Sequence, residues 1–168
     1  MLRSSAVLAG VAALPLLALS PAPAAAQGTV KTTRMSATVA FAAVSAAVDT
    51  CAKQNQQVTA VVLDPDGVQQ AFLRGDGAGI HTVEMADYKA YTALSFRTDG
   101  IDLVERASKG NVPAAIGKLP RLILAQGGVV IRSGDAIVGA IGVSGARGNN
   151  IDTQCARAAV EKIKDQLK

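Results

Sequence analysis

Two rhythms of apolar and polar residues run through this chain. Over 36–54, Phe41, Val44, Val48 and Cys51 fall on one stripe at helical spacing, with Ala37, Ala40 and Ala47 beside them. This predicts a helix with Ser36 as its N-cap. Residues 58–63 are β-rich and lead into Asp64-Pro65-Asp66-Gly67, where Pro presets φ and Gly accepts a positive one. A return strand is expected over 68–73, then a flexible loop, Gly75-Asp76-Gly77-Ala78-Gly79. The next helix, over 80–96, has two faces. Val83, Ala86, Ala90, Ala93 and Leu94 suit a sheet, whereas His81, Met85, Tyr88 and Thr92 lie opposite, flanked by Glu84 and Lys89. A short helix over 99–108 and a loop over 110–118 follow.

Strands are predicted over 122–125 and 129–132 around Gly127-Gly128, then over 136–143 after a turn at Ser133-Gly134-Asp135. A Gly-rich loop spans 144–150. The last helix, over 152–167, turns Ala156, Ala159, Val160, Ile163 and Leu167 inward, with Cys155 at that face's edge. The order predicts an α+β fold with an antiparallel sheet, its N- and C-terminal helices packed together on one sheet face. If those helices run antiparallel, Cys51 and Cys155 occupy the ends that meet. Either the two cysteines pair or each is a buried small hydrophobe.

The first residues read differently. Arg3 precedes an apolar stretch over 6–19, and Ala24-Ala25-Ala26 closes it before Gln27. That is the charged, apolar and small-residue sequence of a cleavable secretory signal over 1–26. The apolar run is short of the roughly 20 residues that span a bilayer, so a stable membrane anchor is not expected. Residues 27–35 read as a flexible arm and 36–168 as one domain. Export implies a periplasmic or extracellular location, where disulfides persist.

Composition refines this picture. Hydrophobic residues make up 49 % of the chain but aromatics only 3 %, with no Trp, so small side chains build the interior and favour close packing. The formal net charge is +4 and falls by one when Arg3 is removed. The basic residues are scattered, and few aromatics are present to stack on bases, which argues against nucleic acid as a partner.

Several segments are similar to one family. They are Val61-Val62-Leu63-Asp64-Pro65-Asp66-Gly67, Arg74-Gly75-Asp76-Gly77-Ala78 and Lys89-Ala90-Tyr91-Thr92-Ala93, then Gly127-Gly128 through Gly139-Ala140-Ile141-Gly142-Val143-Ser144-Gly145, then Asp152 and Cys155-Ala156. Together they resemble the extracytoplasmic haem-binding proteins of the HbpS–GlcG type, named for haem degradation. Relatives include the C-terminal domain of some corrinoid adenosyltransferases. The resemblance covers most of the chain from about Ala37 to Leu167. It implies a profilin- and PAS-like α+β fold, assembly into homo-oligomers, and a pocket for haem, a corrinoid or another small molecule. In two places the chain departs from the family: a Pro common near Val130 is absent, and His81 stands where a small or aliphatic residue is expected.

His81 is the only histidine, and neutral imidazole commonly ligates haem iron, as do Tyr and Met. His81 and Met85 are neighbours at helical spacing, with Tyr88 one turn further. They offer one axial ligand, His81, with supporting contacts. Against this, His81 reads as a surface residue near a helix start, with Met85 and Tyr88 buried against a neighbour. Lys89 and Arg74 are cations able to meet a haem propionate; otherwise Lys89 is solvated or paired with Glu84 or Asp87. The loop at Gly142-Val143-Ser144-Gly145-Ala146 offers backbone N–H groups to an anion, or is simply a tight turn. It is neither a P-loop nor a nucleophile elbow. With one His and two cysteines, no hydrolase constellation is visible.

The expected function is therefore haem or similar small-ligand binding outside the cytoplasm, to scavenge or present the ligand. The alternatives are a modulator of a membrane sensor or enzyme that binds no haem, and a haem-degrading or small-metabolite enzyme.

Overall fold

In a computed structural model, residues 28–148 and 150–168 are described; the predicted signal over 1–26 lies outside them. Helix α1 (Ala37–Ala52) begins at Ser36, whose hydroxyl accepts from the Val39 N–H at 3.3 Å. A hairpin of β1 (Thr59–Leu63) and β2 (Gln69–Arg74) follows. Its turn is held by the Asp64 carboxylate, which accepts from the N–H groups of Asp66 and Val68. Next come α2 (Thr82–Phe96), α3 (Gly100–Ser108) and a 3-10 turn (Ala114–Lys118). The chain closes with β3 (Gly128–Ser133), β4 (Ala136–Ser144), α4 (Ile151–Ile163) and a 3-10 turn (Lys164–Leu167).

The four strands form one antiparallel sheet in the order β2-β1-β4-β3. Alternation then sorts the core into two layers. Ala60, Val62, Val129, Ile131, Ile141 and Val143 face α1 and α4, whereas Val61, Leu63, Val130 and Ala140 face α2. The terminal helices do share one sheet face, and the last turn of α1 meets the first turns of α4. Cys51 and Cys155 form a disulfide there, with Cα atoms 5.6 Å apart.

On the other face, α2 lies against the backbone of the sheet. Gly142 and Gly128 are cross-strand partners. A Cβ on Gly142 would stand 1.9 Å from the Ala86 carbonyl oxygen, and one on Gly128 would stand 2.2 Å from that of Lys89. The scarcity of aromatics thus has a structural counterpart: helix and sheet touch through Gly and Ala.

Four expectations need correction. Phe41 is 58 % exposed, and the buried stripe of α1 runs instead through Ala40, Ala43, Val44, Ala47 and Cys51, one position round the helix from the ring. Residues 122–125 are extended but join no ladder; the Ile123 N–H bonds instead to the Thr92 hydroxyl at 2.9 Å. Thr92 is consequently buried beneath this connection, not on an outer face. The supposed arm is pinned at its end: Arg34 pairs with Asp64 and Asp66, and the carbonyl of buried Met35 accepts from Gln70 at 2.6 Å.

Candidate functional site

The strand register determines where the loops gather. Thr59 opens β1 and pairs with Arg74, the end of β2, on one side and with Ser144, the end of β4, on the other. The connection after α1, the glycine loop after β2 and the loop after β4 therefore leave the sheet at the same end. A cleft of about 750 Å³ lies between them, lined by Asn55, Gln56 and Gln57, by Gly77 and Gly79 with His81 and Thr82, and by Gly145 and Arg147.

Local contacts hold each wall. Gly145 has φ +129°, and a Cβ there would lie 2.5 Å from the Gln57 carbonyl oxygen, so only glycine brings the two connections together. The Arg147 N–H donates to Gln56 Oε1 at 2.8 Å across the same junction. His81 precedes α2 as its cap residue and is exposed, with its imidazole over Gly79; a Cβ on Gly79 would meet His81 Cε1 at 2.7 Å. Beneath it, the Thr82 hydroxyl donates to the Gly79 carbonyl at 2.6 Å. Having one proton to give, Thr82 then accepts from the Thr59 hydroxyl, 2.6 Å away and buried. That chain of hydroxyls fixes the turn on which His81 stands.

Of the five residues expected at a ligand site, the cleft takes only His81. Arg74 donates from Nε to the Ala78 carbonyl at 2.8 Å and again from Nη2, so its guanidinium closes the glycine loop from behind. Met85 and Tyr88 are half-buried further along α2 and do not line the cleft. Lys89 is only 6 % exposed. Its Nζ donates to Asp152 Oδ2 at 2.6 Å and to the Val143 carbonyl at 3.0 Å, so it is paired with neither Glu84 nor Asp87 and does not line the cleft.

Arg147 is the exposed cation that the cleft does contain. The sequence signal for it was its place in the Gly-rich loop over 144–150, which the antiparallel order brings beside the loop over 75–79. Among the described residues, no three His, Cys, Asp or Glu side chains come together as a metal cluster.

Residues 35–161 match the family described as haem degrading protein HbpS-like. The chain belongs to the HbpS-like family. Among solved structures, this HbpS-like chain is similar to the crystal structure of HbpS, with 31 % identity and a TM-score of 0.76 over 81 % of this chain and 94 % of that one. A double-mutant form of Streptomyces reticuli HbpS matches at 29 % identity and the same TM-score of 0.76, over 94 % of this chain and 98 % of that one. A complex of PduOC with heme, at 21 % identity and a TM-score of 0.70 over 77 % of this chain and 94 % of that one, shares the fold. No significant match is found among curated proteins. The family-like glycines prove to be contact points: Gly128 and Gly142 seat α2 on the sheet, and Gly145 closes the cleft.

Proposed function

We propose that this HbpS-like protein binds haem at the polar cleft, where His81 would hold the iron and Arg147 a propionate. One observation carries the reading: an exposed imidazole and an exposed guanidinium border the same cleft. The donor set fits the group. Imidazole ligates haem iron, and a guanidinium presents the fork that a carboxylate accepts. The cleft lies within the size range of small-molecule sites. Its walls are chiefly amide side chains and glycine backbone, with no apolar side chain among the described residues to cover the ring, so the fit rests on the iron and propionate contacts and not on enclosure. Bound haem supplies redox-active iron, and oxidative chemistry on the ring belongs to the cofactor.

Scavenging or presenting haem outside the cytoplasm is part of the same proposal. The buried Cys51–Cys155 disulfide supports an oxidising compartment. Self-association is part of the proposal as well, and light scattering checks it. The decisive test is absorbance during haemin titration. Wild type is expected to give saturable binding with a shifted Soret band, and His81→Ala to lose that shift. An unchanged titration with His81→Ala would remove His81 as the ligand.

A further inference from the structure

We infer that Lys89 and Asp152 position the cleft, joining the helix that carries His81 to the loop that carries Arg147; the inference rests on the haem reading above. Lys89 is a buried ammonium on α2, eight residues after His81. Its partner Asp152, in the first turn of α4, is itself largely covered. While one carboxylate oxygen holds Lys89 Nζ at 2.6 Å, the other accepts from the Ala146 N–H at 3.0 Å. Ala146 is adjacent to Arg147, whose own N–H is held by Gln56. An unbroken line of polar contacts therefore runs from α2 through Asp152 to the Arg147 backbone and on to the wall after α1.

The surroundings leave this line little play. A Cβ on Gly127 would lie 3.1 Å from Lys89 Cδ and 2.5 Å from the Val143 carbonyl oxygen. The Gly127 N–H donates to the Thr153 hydroxyl at 2.9 Å, and the Gly127 carbonyl accepts from Val143 at 2.9 Å. A buried ion pair is weak evidence for stability, because well-packed apolar residues often do as well or better. What the pair provides here, and an apolar plug would not, is a hold on the Ala146 amide. That hold fixes where the next side chain, Arg147, stands relative to His81.

The test replaces both charges with apolar volume, Lys89→Met with Asp152→Leu, and titrates the full chain with haemin and with haemin dimethyl ester, which has no free carboxylates. Haemin affinity is expected to fall roughly tenfold, the size of one charge-assisted hydrogen bond, while ester affinity stays the same. Adding Arg147→Ala should then cause no further loss. A double variant that keeps an Arg147-dependent preference for haemin over its ester overturns the inference. So does a double variant that fails to fold, since the pair would then be needed for the fold itself. If Arg147→Ala alone leaves the haemin preference intact, the propionate contact is wrong, and the positioning role falls with it.

Discussion

Replacing Gly142 with alanine adds one methyl group between β4 and α2. The Gly142 backbone is one that alanine adopts freely, so the effect is steric. The new Cβ would stand 1.9 Å from the Ala86 carbonyl oxygen and 2.7 Å from the Ala90 nitrogen, against the 3.0 Å below which such contacts essentially never fall. Both atoms are helix backbone and have no rotamer through which to escape, so α2 must lift by about 1 Å. A gap of that size forfeits roughly a quarter to a half of the dispersion attraction across it. The lost contacts include those of Ala86, Ala90 and Ala93, all fully buried. Overpacking alone costs roughly 1–3 kcal/mol. A loss of about 3 kcal/mol lowers Tm by about 10 °C in a domain of this size.

The assay is thermal unfolding followed by circular dichroism, with Gly117→Ala alongside as a control. Apart from its own chain neighbours and local backbone, nothing lies within 4 Å of a Cβ at Gly117, so that change should stay within about 0.5 kcal/mol of wild type. Because α2 carries His81, Gly142→Ala should also weaken haemin binding. A Gly142→Ala protein melting within about 2 °C of wild type would refute the account of a helix seated directly on the sheet.

Two further outcomes follow from other contacts. The disulfide joins residues separated by 104 positions, and removing it with Cys51→Ala and Cys155→Ala should cost roughly 4 kcal/mol by the chain-entropy account; equal urea midpoints would contradict this. Gly79→Ala places a Cβ 2.7 Å from His81 Cε1, a contact that the ring relieves by turning away. Tm should therefore hold while haemin affinity drops several-fold, and a titration matching wild type would show that the ring's seat on Gly79 does not matter.

Much of the architecture was legible because local pattern and topology agreed. The β1–β2 turn, the Ser36 cap and the hairpin between β3 and β4 each follow from residue types whose local preferences match the fold. The meeting of Cys51 with Cys155 follows from two terminal helices running antiparallel on one sheet face. Where hydrophobicity alone was the guide, it misled. Phe41 outranks Ala43 on any transfer scale, yet α1 and α4 pack closely through small side chains, and the ring is left outside. Residues 122–125 look like a strand, but a ladder needs a partner, and here the Thr92 hydroxyl takes the available amide. Lys89 was the hardest case. A lysine on an amphipathic helix reads as solvated, and its burial is intelligible only beside Asp152, 63 residues away. The cleft was half visible: His81 and its glycine loop stand in sequence order, whereas Arg147 joins them only through the strand register.

The packing that makes this domain also limits how it holds a ligand. With α2 resting on the sheet through Gly128 and Gly142, and α1 on α4 through alanines, the layers leave little room between them for a large apolar guest. The cleft therefore opens at the loop end of the sheet, where backbone and amide side chains are concentrated and apolar cover is thin. A haem bound there would depend on one coordinate bond at His81 and on charge at Arg147, not on enclosure. The charged contribution is exposed and so weakens with salt, whereas the coordinate bond does not. On the proposed haem reading, such a division would make affinity adjustable with salt and release straightforward. On this reasoning, the same feature that keeps the core free of aromatics places ligand exchange at the surface, and the buried Lys89–Asp152 pair is what keeps so open a site in register.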